Sequence, residues 1–441
     1  MFRDHRERFL SILARENAAA IVPTGTLRLR NHDSEYRFRP HSDFYYLTGF
    51  REPDAVLVLA PKQVEKSVLF LNEKDRDAEI WTGRRLGSAG APAALGIERA
   101  YPRGELWTRL GELLLGHERI VHAFGVDATF DQELLTTVAN LQKKGRARQT
   151  IPRQWVEPAL WLHELRLFKD EAELECMRAA ARVSAEAHRA VMRAAKPGVN
   201  EGELDALLDY TFRSRGGTGA AYGNIVASGA NACILHYREN DRVLAEGDLC
   251  LVDAGCEWDF YASDVTRTFP VGGRFSHEQR ELYELVLRSQ AAAIERVRPG
   301  ATQDEVHQAA LEVLVDGLIA LGLLAGSRAE VLEKETYRRF YMHRTGHWLG
   351  LDVHDCGLYS QDGKPRPFEP GMVTTVEPGL YVAPEDETVE ARWRGIGIRI
   401  EDDLLVTADG HEVLTSDVPK EIGEIEELCA GGSRAPFARR T

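Results

Sequence analysis

Two aspartates in one short segment, Asp253 and Asp264, are the first candidates for chemistry in this chain. The segment Leu251–Pro270 is rich in β-branched and aromatic residues, which predicts two strands joined by a turn. If Trp258 and Asp259 form the turn, the two acids face each other directly, about 5 Å apart across an antiparallel pair. A turn moved by one position leaves them on the same face as diagonal neighbours, whereas a loop of odd length separates them.

Two like charges placed so closely are destabilising unless one acid carries a proton or cations lie between them. Solvent exposure of both side chains is the simpler interpretation of any single pair of strand aspartates. A cation site at Asp253 and Asp264 would need further ligands elsewhere in the chain, and the search for them leads to two downstream stretches.

Three histidines, His343, His347 and His354, lie close together in the first of these stretches. A lone histidine is more often an ordinary core or surface residue, but three beside glycines and an aromatic residue favour a functional role for at least one. The spacing from His343 to His347 resembles a helical metal pair, but H-E-x-x-H is absent. Gly346 and Gly350 also disfavour a regular helix. We therefore expect one metal-ligating histidine here rather than two.

Two glutamates, Glu377 and Glu401, follow β-rich runs in the second stretch. Glu377 ends a β-branched run and precedes Pro-Gly, which predicts a carboxylate held at a strand end where the chain turns away. The alternation in 395–403 places Arg399 and Glu401 on the face opposite the isoleucines. Taken alone, Arg399 and Glu401 are most simply an ordinary surface ion pair, which contributes little stability.

The candidate ligands form a coherent set of four carboxylates and one imidazole, whose negative charges two divalent cations would balance. Mostly oxygen ligation with one imidazole suits Mn²⁺, with Co²⁺ or Zn²⁺ as possible replacements. Hydrolytic dinuclear sites hold their metals roughly 3.5–4 Å apart, so two carboxylates must bridge them. The sequence therefore predicts a dinuclear hydrolytic site from five residues: Asp253, Asp264, His347, Glu377 and Glu401.

Composition excludes several other classes of function. The chain has 441 residues, is 44% hydrophobic and 28% charged, and is long enough for two or more domains. Its formal net charge of -14 argues against non-specific binding to nucleic acid or anionic membranes. Six cysteines without a C-x-x-C pair indicate a reducing compartment. No secretory signal or membrane span is predicted, so we expect a cytoplasmic protein.

Helices and strands alternate in the first part of the chain, which predicts a small α/β domain over residues 1–168. A long Ala- and Arg-rich helix over 171–195 then opens a second domain, predicted to span 169–430 and to be followed by a polar, disordered tail over 431–441. Strands are predicted at 18–23, 43–49 and 340–347.

The motifs of both halves, taken together, resemble the M24 metallopeptidase family with the pita-bread fold, and within it the aminopeptidase P branch. The resemblance covers nearly the whole chain in the right order. The second half carries I-L-H-Y-R-E-N (234–240), V-D-A-G-C-E (252–257), S-D-V-T-R-T-F-P (263–270), G-H-W-L-G-L-D-V-H-D (346–355), V-E-P-G-L-Y (376–381) and G-I-R-I-E-D-D (397–403). The first half carries S-D-F-Y-Y-L-T-G-F-R-E-P-D-A-V-L-V-L (42–59) and A-E-I-W-T-G-R-R-L-G (78–87).

This resemblance implies a two-domain α/β protein, with a smaller N-terminal α/β domain and a C-terminal pita-bread catalytic domain. It implies hydrolysis of the Xaa-Pro bond at the N-terminus of peptide substrates. Asp253 would bind one metal, Asp264 and Glu401 would bridge both, and His347 and Glu377 would complete the second metal's shell. Glu377 would also carry a proton to the leaving prolyl nitrogen.

The resemblance further implies residues on the substrate side. His354 would donate to the peptide carbonyl or its oxyanion, and His236 and His343 would line the proline pocket. Arg399 would support the metal ligands or a catalytic hydrogen-bond chain, and Tyr381 would line the pocket.

Several alternatives stay open on the sequence. A prolidase restricted to Xaa-Pro dipeptides has the same fold and metals. A creatinase-like or peptide-binding module would lack metal ligands that are present here, and the long N-terminal domain disfavours a methionine aminopeptidase. An interaction protein without catalysis is a further alternative. The N-terminal domain is better suited to forming the contacts of a homodimer or homotetramer and to narrowing access to the site, with Asp33 and Trp81 as a possible lid.

Overall fold

A computed structural model describes residues 1–144 and 149–432 of the chain. The chain divides into two compact units, Met1–Arg166 and Leu167–Thr441. The predicted polar tail, apart from its first two residues, lies outside the described residues.

The first unit is built on one mixed six-stranded sheet in the order β6-β5-β4-β1-β7-β8. Its strands are β1 (Ala18–Pro23), β2 (Leu29–Asn31), β3 (Ser34–Glu35), β4 (Val56–Leu59), β5 (Ser67–Leu71), β6 (Arg99–Pro102), β7 (Arg119–Val121) and β8 (Gln154–Val156). Its helices are α1 (Phe2–Arg15), α2 (Ser42–Thr48), α3 (Arg76–Thr82), α4 (Gly87–Leu95), α5 (Leu106–Leu114), α6 (Ala128–Lys144) and α7 (Leu162–Leu167), which ends at the first residue of the second unit.

Strand β1 has the bounds that the sequence predicts, but the strand predicted over 43–49 is wrong. That segment is helix α2, whose residues are all buried. Gly49 ends the helix in the left-handed region at φ 66°, and its N–H donates to Tyr45 O. The aromatic residues that favoured a strand serve the helix equally well, because the surrounding core covers every side of it.

The second unit contains several small sheets packed against long helices. The strands are β9 (Gly219–Ala220), β10 (Ile225–Ser228), β11 (Leu249–Asp253), β12 (Cys256–Trp258), β13 (Tyr261–Ala262), β14 (Thr266–Pro270), β15 (Ser360–Gln361), β16 (Lys364–Pro365), β17 (Val373–Val376), β18 (Gly379–Val382), β19 (Ile396–Arg399), β20 (Asp402–Val406) and β21 (His411–Val413). The helices are α8 (Glu171–Ala194), α9 (Glu201–Ser214), α10 (His277–Ile294), α11 (Gln303–Ala320), α12 (Arg328–Glu333) and α13 (Ile422–Gly431).

The strands that matter for chemistry form three antiparallel groups, β10-β11-β14, β17-β20-β21 and β18-β19. Helices α8 to α11 contribute apolar side chains to the largest core cluster of this unit, together with β11, β18 and β19. Capping boxes begin several of these helices; in α8, Asp170 accepts from the N–H of Glu173 while Glu173 accepts from the N–H of Asp170. The sheets are therefore held on a rigid support.

In the hairpin that carries Asp253 and Asp264, the two aspartates do not lie directly opposite each other. Asp259 and Phe260 form the turn with φ values of 49° and 66°, as a two-residue type I′ turn requires. Trp258 therefore pairs with Tyr261. In the same register Asp253 pairs with Thr266, which leaves Asp264 diagonal to Asp253. The turn is moved by one position, and the acids share a face as diagonal neighbours.

The strand predicted over 340–347 is also wrong, because this segment has no regular secondary structure. It runs close against β17, where a Cβ at Gly346 would lie 2.1 Å from Thr375 O. The N–H of Glu377 donates to Thr345 O, and the N–H of Thr375 donates to His347 O. Close packing of one backbone on another therefore fixes the histidine stretch.

The six cysteines, all within the described residues, form no disulfide bond. Within residues 1–144 and 149–432, no helix is both long and apolar enough to cross a lipid bilayer.

Candidate active site

A cavity of about 740 Å³ in the second unit brings together nearly all of the predicted site residues. Hydrophobic side chains such as Ile225, Leu235 and Val353 form part of its wall. The predicted residues that line it are Asp253, Asp264, His347, Glu377, Glu401, Arg399, His236, His343 and His354.

Asp253 and Asp264 face the cavity from neighbouring positions of one sheet. Asp253 is the last residue of β11, and Asp264 lies two residues before β14. A Cβ at Gly255 would lie 1.7 Å from Ser263 O, so only glycine allows the two chains to approach here. The hydroxyl of Tyr222 contacts an oxygen of each carboxylate, at 2.7 Å from Asp253 Oδ1 and more closely at Asp264 Oδ1.

The two glutamates lie in the gaps between consecutive strands. Glu377 joins β17 to β18, as its position before Pro-Gly predicts, and Glu401 joins β19 to β20. Thr266 Oγ1 donates to Glu401 Oε2 at 2.6 Å and accepts from Arg399 Nε at 3.1 Å. Both carboxylates therefore lie at strand ends, and Thr266 of β14, itself held by Arg399, orients Glu401.

His347 has one ring nitrogen in use and one directed at carboxylates. Its Nδ1 lies 3.0 Å from Trp348 O; because a carbonyl oxygen only accepts, Nδ1 carries the hydrogen. Its Nε2 lies 3.4 Å from Asp264 Oδ2 and 3.7 Å from Glu377 Oε1. One possible ligand atom from each of Asp264, His347 and Glu401 lies within 4.8 Å of the other two. Because Nδ1 is held by this carbonyl, Nε2 is the ring nitrogen that His347 can offer to a metal.

The carboxylates of the cavity have perturbed affinities for protons. Burial is the main cause that raises the pKa of Asp253, although the charge of Arg399 opposes it. Burial also raises the pKa of Glu377 to about 7 and that of Glu401 well above its usual value. Burial disfavours protonation of His347, but its hydrogen bond to Asp264 and the nearby acids outweigh burial and raise its pKa to about 9. Repulsion between the neighbouring acids adds to burial in raising the pKa values of these carboxyl groups.

The donor set fits two divalent cations. The single hydroxyl hydrogen of Tyr222 satisfies only one of the two carboxylates that it contacts at any moment. Arg399 Nη2 forms a direct ion pair with Asp253, at 2.6 Å from Oδ2, and acts on Glu377 and Glu401 only through its more distant charge. The remaining buried negative charge calls for cations, and carboxylate oxygens with one imidazole suit hard or borderline divalent metals.

A directed chain of hydrogen bonds joins Arg399, Tyr381 and His343. His343 Nδ1 lies 2.8 Å from Arg344 O, so Nδ1 carries the hydrogen and Nε2 accepts from the Tyr381 hydroxyl at 2.9 Å. Arg399 Nη1 in turn donates to Tyr381 Oη at 3.0 Å. Burial, together with the charge of Arg399, lowers the pKa of His343 to about 4, so the ring is neutral at pH 7.

This geometry corrects the position predicted for Tyr381. The residue is buried behind the cavity wall and is not among the described residues that line the cavity. His236 and His354 differ from His343, since within the described part of the chain neither ring makes a side-chain hydrogen bond. The ring of His354 packs edge-on against His347, with centroids 4.4 Å apart. Both rings are free to bind substrate.

Sequence reasoning missed Tyr222, Thr266 and Asp403. Asp403 accepts from the N–H of Asp264 at 3.0 Å and so fixes the backbone beside a predicted ligand. Asp403 and Thr266 stand inside the quoted motifs, but alternation alone assigned them no role. Tyr222 lies 31 residues before Asp253, and no local pattern connects the two.

Each of the two units matches the model of a known protein family. Residues 175–408 match metallopeptidase family M24, and residues 2–122 match the aminopeptidase P N-terminal domain. The chain is 45% identical over 419 residues to an Xaa-Pro aminopeptidase of Escherichia coli, covering 95% of each chain. It is 33% identical to human Xaa-Pro aminopeptidase 3, covering 97% of this chain and 85% of that one.

Solved structures match along almost the full length. Aminopeptidase PepP of Pseudomonas aeruginosa superposes with a TM-score of 0.94 at 47% identity, covering 98% of both chains. Zn-substituted E. coli aminopeptidase P in complex with product superposes with a TM-score of 0.93 at 42% identity, covering 99% of this chain and 100% of that one. These matches confirm the predicted fold class.

Proposed function

Because the chain belongs to metallopeptidase family M24 and carries the aminopeptidase P N-terminal domain, we propose that it is an Xaa-Pro aminopeptidase. It removes the N-terminal residue from peptides with proline in the second position. The observation that carries this proposal is the convergence of five metal-type ligands in one cavity beside two imidazoles that are free to bind substrate. Relatives named Xaa-Pro aminopeptidase support the substrate class.

Five residues would hold two divalent cations, which supply Lewis acidity and lower the pKa of bound water towards neutrality. Mn²⁺ is the proposed metal, with Co²⁺ or Zn²⁺ as replacements. The residues that would hold them are the ones expected from the sequence, Asp253, Asp264, His347, Glu377 and Glu401, all of which line the cavity.

Glu377 is the proposed proton carrier. The leaving prolyl nitrogen belongs to a tertiary amide and has no N–H, so a general acid must protonate it as the bond breaks. Glu377 lies at the cavity wall beside His347, with its side chain 18% exposed, and so can take a proton from the attacking water and deliver it to that nitrogen.

The three histidines take different parts in binding substrate. His354, with both ring nitrogens free, donates to the carbonyl oxygen of the scissile bond. His236 is exposed on the cavity wall and contacts the substrate next to proline. Both nitrogens of His343 are engaged, so this residue presents the face of its imidazole to the proline ring of the substrate. Tyr381 and Arg399 hold the imidazole in place.

We propose that residues 1–168 form a domain with two roles: it provides the contacts of a homodimer or homotetramer, and it narrows access to the catalytic domain of residues 169–430. Trp81, with 87% of its surface exposed in α3, and the exposed Asp33 are the proposed lid residues. The proposed location is the cytoplasm, and the proposed partners are peptides rather than nucleic acid or membranes, in keeping with the net charge of -14.

The decisive experiment compares three substrates with metal-stripped protein refilled with Mn²⁺. Ala-Pro-Ala is expected to release alanine, whereas Ala-Ala-Ala is expected to resist cleavage. Cleavage of Ala-Pro without cleavage of Ala-Pro-Ala would instead identify a prolidase. Failure to cleave any Xaa-Pro substrate with metal bound would contradict the proposed activity.

A further inference from the structure

Three arginines line the cavity, and two of them already have a carboxylate partner. Arg399 contacts Asp253, as described above. Arg344 forms an ion pair with Asp304, which also lines the cavity. Both guanidiniums therefore already have a carboxylate beside them, whose charge opposes the binding of a second anion.

Arg238 differs from both. Its guanidinium makes one long contact, at 3.5 Å from Nη1 to Gly223 O. Its neighbour Glu239 accepts from the backbone N–H of Arg238 rather than from the guanidinium. Among the described residues no carboxylate pairs with Arg238, and its exposed side chain is part of the cavity lining.

The position of Arg238 links it to the substrate. It follows His236 by two residues, and both side chains line the cavity. His236 is placed next to the substrate proline in the proposed function, on which this inference rests. Arg238 therefore shares the cavity wall with the residue proposed to contact the substrate next to proline.

The charge of the cavity favours an anion at Arg238. The lining contains five acidic residues and three arginines. Once two divalent cations are bound, the positive charges of the cavity outnumber the negative ones. Arg238 is the lining arginine whose charge no carboxylate of the described residues neutralises. A guanidinium binds a carboxylate through two parallel hydrogen bonds, which gives geometric selectivity as well as attraction.

We propose that Arg238 is a specificity residue that binds a carboxylate on the part of the substrate that follows proline. The C-terminal carboxylate of a tripeptide and the side chain of an aspartate or glutamate after proline both provide this group. The enzyme would therefore favour Xaa-Pro-Xaa tripeptides with a free C-terminal carboxylate, and longer peptides with an acidic residue after proline, over peptides of the same length that lack the carboxylate.

The test uses the Mn²⁺-loaded full chain and three substrates: Ala-Pro-Ala, Ala-Pro-Ala-amide and Ala-Pro-Glu-amide. For the wild type, kcat/KM for Ala-Pro-Ala is expected to exceed that for Ala-Pro-Ala-amide by about three- to fivefold, through KM, since the ion pair is partly solvated. If kcat/KM for Ala-Pro-Glu-amide exceeds that for Ala-Pro-Ala-amide by a similar factor, the glutamate side chain is a second source of the carboxylate. If the two amides have equal kcat/KM, recognition is restricted to the C-terminal carboxylate.

Variants isolate the guanidinium. Arg238→Gln is expected to remove the preference for carboxylate without changing kcat/KM for Ala-Pro-Ala-amide, and Arg238→Lys to keep part of it. Arg328→Gln is the matched control, because Arg328 pairs with Asp316 on the helical surface and does not line the cavity. Equal kcat/KM for all three substrates in the wild type, or an equal loss for all three in Arg238→Gln, overturns the inference.

A binding measurement separates this inference from the proposed function. Calorimetry with Pro-Ala and Pro-Ala-amide measures the same preference without turnover. Tighter binding of Pro-Ala that disappears in Arg238→Gln supports the inference even if no substrate is cleaved, in which case only the proposed activity fails. Equal affinity for the two dipeptides overturns the inference even if Ala-Pro-Ala is cleaved.

Discussion

Glu401 and Asp402 are adjacent in the chain, yet their carboxylates lie in opposite electrostatic environments. Asp402 accepts from Arg267 at 2.7 Å and from Lys420 at 2.7 Å, and neither Asp402 nor Arg267 is exposed to solvent. Burial raises the pKa of Asp402, but these two cations outweigh it and hold the pKa below its usual value. Glu401 has no comparable cation, and its pKa is raised.

The comparison separates two uses of buried charge. Around Asp402 the protein supplies the compensating cations, and the cluster serves structure. Around Glu401 the acids outnumber the cations and open onto a cavity, so protons compensate the charge in metal-free protein and bound metal can replace them. Each prediction below acts first on one of the two clusters.

The largest expected effect is on catalysis. Glu377→Gln should lower kcat by about 10²–10⁴-fold, because the variant cannot carry a proton to the leaving nitrogen. Metal content, measured by mass spectrometry, should stay close to that of the wild type, since four ligands remain. Retained high activity with metal bound would remove Glu377 from the mechanism.

The next effect is on stability. Arg267→Met should lower the free energy of unfolding by about 3–5 kcal/mol, measured by urea denaturation, because it leaves Asp402 and several carbonyl oxygens underpaired in the interior. Adding Asp402→Asn to this variant should recover part of the loss. A change below about 1 kcal/mol would mean that Arg267 does not support the fold as the contacts indicate.

The pH dependence of stability should have opposite signs in the two clusters. For metal-free protein, the Glu377 pKa rises from 4.5 to about 7 on folding, so its contribution to stability falls as pH increases through this window. Metal-free wild type should therefore lose more stability between pH 5 and pH 8 than metal-free Glu377→Gln.

The lowered pKa of Asp402 acts in the other direction: its contribution is present above the unfolded value of 3.8 and is lost as pH falls below it. Denaturant melts at each pH provide the measurement. Parallel curves for the wild type and Glu377→Gln between pH 5 and pH 8 would contradict the account of the catalytic cluster.

The smallest effect is expected at Tyr222. Tyr222→Phe removes the hydroxyl that contacts Asp253 and Asp264, and should lower the stability of the metal-free protein by about 1 kcal/mol. With Mn²⁺ bound the difference should shrink, because the cations take over the compensation. A loss of stability that is the same with and without metal would assign Tyr222 a purely structural role.

The same comparison shows how far sequence alone reaches. Strand alternation and the resemblance to a known family single out Glu401 among three consecutive acids in the motif 397–403. Nothing local identifies Arg267 as the partner of Asp402, because the two are 135 residues apart and meet only through the fold. Local spacing predicts which strand end bears an acid, whereas long-range packing decides what compensates it.

The errors have the same origin. The sequence leaves two registers of the aspartate hairpin open, and it could not favour the observed one because its positive φ values fall on Asp259 and Phe260, and phenylalanine is rarely found in that conformation. Aromatic content predicted a strand where α2 lies, because a residue buried on all sides carries no periodicity. Tyr381 was expected on the cavity wall, and only the bonds to His343 and Arg399 show that it lies behind it.

The central claim, that two divalent cations compensate the catalytic cluster, is tested most directly by calorimetric titration of metal-stripped protein with Mn²⁺, followed by thermal melting. Two bound ions per chain and a rise in Tm are expected, with both reduced in Asp264→Asn. Binding of no Mn²⁺, or a Tm that is indifferent to chelator and to metal, would contradict the claim.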